Sequence, residues 1–83
     1  MKAVYFAWVR ERVGKPDETL APPPDVTTVA GLIAWLAGQG ENYAYAFENP
    51  KIIRAALDQL HVKHDAALAG AREIAFFPPM TGG

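Results

Sequence analysis

The sequence predicts an α+β fold built on one main helix, and three stretches carry that prediction. Residues 2–10 alternate as a strand does, and Val29, Leu32, Ile33 and Leu36 recur at the spacing of one helical face. Ile74-Ala75-Phe76-Phe77, short, apolar and β-prone, reads as a closing strand. Eighty-three residues leave room for one hydrophobic core, hence one domain.

The first strand has no polar face. Val4, Phe6 and Trp8 point one way, and Ala3, Tyr5, Ala7 and Val9 the other. Both faces are expected to be covered, one by the domain's own helix and the other by a partner protein. The competing reading makes Phe6 and Trp8 simply core. Charges, glycine and proline from Arg10 to Pro16 predict a turn, and a second strand over 18–21 pairs back as a hairpin. Pro22-Pro23-Pro24 is a stiff connector.

Thr27 or Thr28 is placed to cap the helix, and Gly38-Gln39-Gly40 to end it. Gly31 weakens that helix by about 1 kcal/mol relative to alanine unless it permits close packing. Trp35 lies beside the apolar stripe and is expected to be half exposed. Residues 42–49 alternate like a strand, yet their alanines also permit a helix; a helical turn or loop with Phe47 plugging the core edge is the favoured reading. Asn49-Pro50 marks a turn. A third strand over 51–57 carries Ile53, Ala55 and Leu57 on one face. Asp58-Gln59 then turns into a short strand over 60–63. A polar loop anchored by Leu68 leads to the final strand over 73–77. A crossover through the helix sets the last strand parallel to the first.

Composition excludes several classes of function. A formal net charge of −1 offers no basic footprint for nucleic acid or a polybasic membrane patch. No apolar run approaches the ~20 residues of a membrane span. Met1-Lys2 leads directly into the first strand with no signal peptide, so a cytoplasmic protein is expected. Without cysteine there is no disulfide, thiolate metal site or cysteine nucleophile. His61 and His64 lack a third ligand, so no metal site is expected. The carboxylates are scattered and form no acid–base pair, which argues against a self-contained active site.

The end of the sequence suggests a different chemistry. Pro78 and Pro79 remove two backbone donors, so the strand stops and the chain leaves extended. From there the six residues to Gly83 reach roughly 20 Å at ~3.3 Å each. Thr81-Gly82-Gly83 has little side chain, and Gly83 leaves its carboxylate unshielded. Alternation sets Phe76 and Phe77 on opposite faces, one of them filling the core; Phe76 is expected inside with Ile74, and Phe77 outside beside Phe6 and Trp8. Arg10, Lys63 or Arg72 would rim that aromatic face, a credible place for a partner to dock.

The run FFPPMTGG, with the opening KAVYFAWVRE, resembles the small sulfur-carrying subunits of molybdopterin synthase, within the ubiquitin-like sulfur carriers. That resemblance implies a β-grasp fold: a mixed sheet packed on one main helix over residues 1–77, then a flexible C-terminal Gly-Gly tail over 78–83. It implies that the Gly83 carboxylate, presented by Gly82, is adenylated by an activating enzyme that uses ATP. An external sulfur donor then converts it to a thiocarboxylate. Pro78, Pro79, Met80 and Thr81 would thread into a large catalytic subunit, where sulfur passes to cyclic pyranopterin monophosphate in molybdenum cofactor biosynthesis. Phe6, Trp8, His61 and Phe77 would contact that partner in an assembly with two of each subunit. The chain itself would bind no cofactor and contribute no independent catalysis. Asp58, His61 and the Ala69-Gly70-Ala71-Arg72 turn depart from what relatives often carry there. The alternatives are a carrier for thiamine thiazole or tRNA thiolation, a ubiquitin-like modifier joined to lysine amines, and a plain interaction domain.

Overall fold

The computed structural model describes residues 1–79. In chain order it contains β1 (Lys2–Tyr5), α1 (Ala7–Val13), β2 (Asp17–Thr19), α2 (Val29–Ala37), α3 (Glu41–Ala46), β3 (Arg54–Leu57), β4 (Leu60–Val62) and β5 (Glu73–Phe77). The strands form one mixed sheet in the order β2-β1-β5-β3-β4. β5 lies parallel to β1, while the β1–β2, β3–β4 and β3–β5 pairs are antiparallel. The expected β-grasp arrangement is therefore present, with the last strand at the centre of the sheet.

One face of the sheet forms the core. Pairing places Tyr5, Phe76 and Ala55 in one row across the strands, and Ala3 and Ile74 in another; all five are buried. Val29, Leu32, Ile33 and Leu36 join them from α2, all buried as the helical spacing predicts. The ring of Phe47 meets those of Tyr5 and Phe76 at 6.5 and 5.2 Å, edge-on in both cases. Residues 42–49 thus resolve as α3 followed by the Phe47 plug.

The α2 cap is Thr28. Its Oγ1 accepts the Gly31 amide at 3.1 Å. A β-carbon on Gly31 would sit 3.3 Å from that same oxygen, so the glycine's cost in propensity is offset by room for the cap. Trp35 is partly buried as expected. The loop after β4 runs beside the start of α2 through Val29 N–H to Ala66 O, Ala30 N–H to His64 O and Leu68 N–H to Thr27 O, with Leu68 buried.

Three expectations are corrected. The strand over 2–10 stops at Tyr5; Ala7 turns left-handed at φ 52° and α1 occupies the stretch read as strand and turn. Val9 and Val13, one helical turn apart, are its buried side chains, and Gly14 closes it left-handed at φ 91° with its N–H on Arg10 O. Secondly, β2 is shorter and earlier than 18–21. Thirdly, β3 begins only at Arg54, because Pro50–Ile52 forms a single 3₁₀ turn with proline at its start. Asp58 and Gln59 make the predicted turn with φ of 48° and 70°. Asp58 Oδ1 also accepts the amides of Arg72 and Glu73, both at 3.0 Å, tying the β3–β4 hairpin to the start of β5.

Candidate functional site

The root of the tail lies at the middle of the sheet. β5 is flanked by β1 and β3, so Phe77 and the chain that follows leave from between two paired neighbours. Pro78 and Pro79 are half-buried there. Met80, Thr81, Gly82 and Gly83, including the predicted reactive terminus, lie outside the described residues.

Phe76 and Phe77 divide as alternation predicts. Phe76 is fully buried, stacked on Tyr5 at 6.2 Å, whereas Phe77 lies half-buried on the opposite face. Phe6 is the next residue after the Tyr5–Phe76 pair, is 48% exposed and keeps an extended backbone; its N–H binds Phe76 O at 3.0 Å. The register therefore sets Phe6 beside Phe77. His61 reaches the same patch from β4, exposed and tilted over the Phe77 ring at 5.2 Å.

Trp8 does not share that face through strand alternation. It belongs to α1, is partly buried against the core, and lies 4.4 Å below the Arg12 guanidinium. Arg12 also stands 4.0 Å over the Tyr45 ring and pairs with Glu48 at 3.4 Å, which joins α1 to the α3 side of the molecule. Of the suggested rim, Lys63 is exposed at the end of β4 nearest Phe77, Arg10 is on α1, and Arg72 is at the far end of β5.

Sequence reading overlooked Arg54, which pairs directly with Phe77 across β3 and β5. The expected face of Ile53, Ala55 and Leu57 already sets Arg54 on the other side of the strand, but only the sheet register shows that its neighbour there is Phe77. It also overlooked Leu60, 70% exposed at the hairpin end of β4.

The displaced acidities lie elsewhere, on the β2 side of the core. Glu18 Oε2 accepts the hydroxyls of Tyr5 at 2.7 Å and Tyr43 at 2.6 Å, and its Oε1 is 3.4 Å from Lys15 Nζ. Partial burial pushes the Glu18 carboxyl up, but the hydrogen bonds from Tyr43, Tyr5 and Lys15 outweigh it and hold the group below its ordinary value. Burial, then the bond to Glu18, pushes the Tyr5 phenol well up, and Tyr43 is raised for the same reasons. These are structural shifts: the three groups satisfy one another's hydrogen bonds. His64 is likewise engaged, with Nε2 2.7 Å from Ile53 O. Among the described residues, no group of three or more His, Asp or Glu side chains is placed to hold a metal. No helix among them is long and apolar enough to cross a membrane.

The arrangement sets the root of the tail, Phe77 to Pro79, beside an exposed aromatic and cationic patch. Comparison with known proteins agrees with that architecture. The chain is 41% identical to the molybdopterin synthase sulfur carrier subunit of Escherichia coli and 32% identical to that of Haemophilus influenzae; each match covers 100% of this chain and 99% of the relative. The crystal structure of SAMP1 from Haloferax volcanii superposes with a TM-score of 0.72 at 23% identity, covering 100% of this chain and 98% of that one, which shows the shared fold. The family model described as the ThiS family matches residues 3–83, tail included, and the chain belongs to that family.

Proposed function

We propose that this chain is the sulfur carrier subunit of molybdopterin synthase, and that the Gly83 carboxylate is its reactive group. The observation that carries the reading is the end-to-end match to two relatives bearing that name, running through the tail. The fold suits the task, because the tail springs from a central strand held on both sides.

In this reading an activating enzyme transfers AMP from ATP to the carboxylate, releasing pyrophosphate and creating a good leaving group. An external sulfur donor then displaces AMP and leaves a thiocarboxylate, a soft nucleophile at neutral pH. The large catalytic subunit receives the tail, and two such deliveries supply the dithiolene sulfurs of molybdopterin. Cytoplasmic location and a two-plus-two assembly belong to the same proposal. Phe6, Phe77 and His61 form the docking face, and Pro78 to Thr81 thread the partner. Trp8 would reach the partner only from the α1 side.

The test is intact mass after incubation with an activating enzyme, ATP and a sulfur donor. A gain equal to replacing one oxygen by sulfur is expected, and it should disappear when Gly83 is deleted. An unchanged mass would overturn the carrier reading; isopeptide adducts on lysines would point to a protein modifier. Adding the thiolated chain, the large subunit and cyclic pyranopterin monophosphate should yield dithiolene. Failure at that step alone would redirect the carrier to another pathway.

A further inference from the structure

A cleft of about 310 Å³ opens at the end of the sheet from which the tail departs, lined by Lys51, Ile53, Arg54, Val62, Lys63 and His64. Sheet register explains why the charges gather. Arg54 pairs with Phe77; Lys63 follows Val62, which pairs with Ala55; and Lys51 sits in the 3₁₀ turn just before β3. Among the described residues, no carboxylate lines the cleft. Among the described residues the ion pairs are Arg12–Glu48 and Lys15–Glu18, so Lys51, Arg54 and Lys63 have none. The whole chain carries a net charge of −1, so this positive end is a local excess.

We propose that this cationic end of the sheet is the electrostatic half of the docking surface, and that the protein receiving the tail turns an acidic segment toward it. The inference rests on reading the chain as a tail-delivering subunit. Continuity argues for a protein occupant: Arg54 lies next to Phe77, and Phe77 touches His61, so the charge borders the exposed aromatic patch. Aromatic residues flanked by arginine are what protein interfaces favour. Complementary charge acts mainly on association, raising the on-rate by about 10- to 1,000-fold at low salt and fading beyond a Debye length of ~8–10 Å. The tail must find a narrow entrance, and steering from its root orients the encounter.

The experiment measures association of the thiolated or unmodified chain with the large synthase subunit of the same source, by stopped-flow mixing over a series of salt concentrations. The wild-type rate should fall steeply with salt. A Lys51→Glu/Arg54→Glu/Lys63→Glu variant should associate at least about tenfold more slowly at low salt and lose most of that salt dependence. A Lys2→Glu/Arg72→Glu control, altering charge at the opposite end of β1 and β5, should stay within about twofold of wild type. Should the triple variant unfold, Arg54→Gln/Lys63→Gln removes charge without reversal and should slow association about threefold or more. A reversed or neutralised variant that associates at the wild-type rate would overturn the proposal, as would equal slowing in the control. Slowing by competing pyrophosphate with no effect of the charge variants would also overturn it. If the wild-type chain failed to bind at all, the carrier reading of the previous subsection would fall first.

Discussion

The two faces of the sheet are made from the same strands but finished differently. On the inner face, Ala3, Tyr5, Ala55, Ile74 and Phe76 are sealed by α1, α2 and Phe47 into one core. On the outer face, Val4, Ala75 and Phe77 remain half-buried, with Phe6, Arg54 and His61 exposed around them. The domain has spent its helices on one side. What stays uncovered is apolar at its centre and cationic at one edge, and it surrounds the point where the tail begins. Adjacent phenylalanines therefore divide the work: one holds the fold, the other faces outward.

The largest effect should come from breaking the inner face. Phe76→Ala removes a fully buried ring that contacts Tyr5 and Phe47. Such truncations cost about 3–5 kcal/mol, against a total of roughly 5–15 for an ordinary domain. Denaturant unfolding should show most of the stability lost. A loss below about 1 kcal/mol would mean the aromatic triad is not the centre of the core.

Next comes the polar edge of that face. Glu18→Gln deletes the charge that accepts the Tyr5 and Tyr43 hydroxyls, and hydrogen bonds to charged groups contribute about 1.5–3 kcal/mol. The sign with pH follows from the directions of the shifts. The Glu18 carboxyl is held below its ordinary value of 4.5, so its contribution is present above that pH and is lost as pH falls toward the lower folded value. Tyr5 and Tyr43 are raised above 10.0, so their contribution is present below that pH and is lost as pH rises through their folded values. Unfolding measured from acid to neutral pH should show a smaller acid decline in Glu18→Gln than in wild type. Identical acid limbs would assign the decline to other carboxylates.

Most of the inner face was legible because it obeys two simple periods. The α2 stripe and the Phe76 and Ile74 pair are where spacing places them, and Leu68 is buried as the one apolar anchor of its polar loop. The stretch from Ala7 to Val13 was not, for a physical reason. Alternating apolar residues fit a strand, yet Val9 and Val13 also sit one helical turn apart, with Gly14 ready to close a helix. Periodicity over seven residues does not separate the two. The turn was set by Ala7 at φ 52°, a conformation that alanine gives no hint of adopting. The same limit applied to the outer face. Arg54 gained its place beside the aromatic patch only from the register that pairs it with Phe77. The Glu18 cluster joins residues 13 and 25 positions apart, a kind of contact that local patterns do not encode.

A smaller effect should follow at the start of α2. Thr28→Ala deletes the oxygen that accepts the Gly31 amide, and loss of such a cap costs about 1 kcal/mol. Thr28→Ser should keep most of it. Equal losses in both variants would show that the methyl group's packing matters more than the hydrogen bond.

The smallest change in stability should come from the outer face, and it sharpens the contrast most. Phe77 is half-buried and touches His61, so Phe77→Ala should cost at most about 1 kcal/mol by lost burial. If the face is a docking surface, an aromatic ring at its centre should matter far more to the partner. Loss of about 2 kcal/mol in binding corresponds to roughly thirtyfold weaker affinity for the large subunit. Calorimetric unfolding and binding measured on the same preparation separate the two quantities. Phe77→Ala that unfolds as readily as Phe76→Ala would erase the distinction between the faces. A stable Phe77→Ala that binds as wild type does would instead place the partner on the α1 side, around Trp8, and leave the strand face idle.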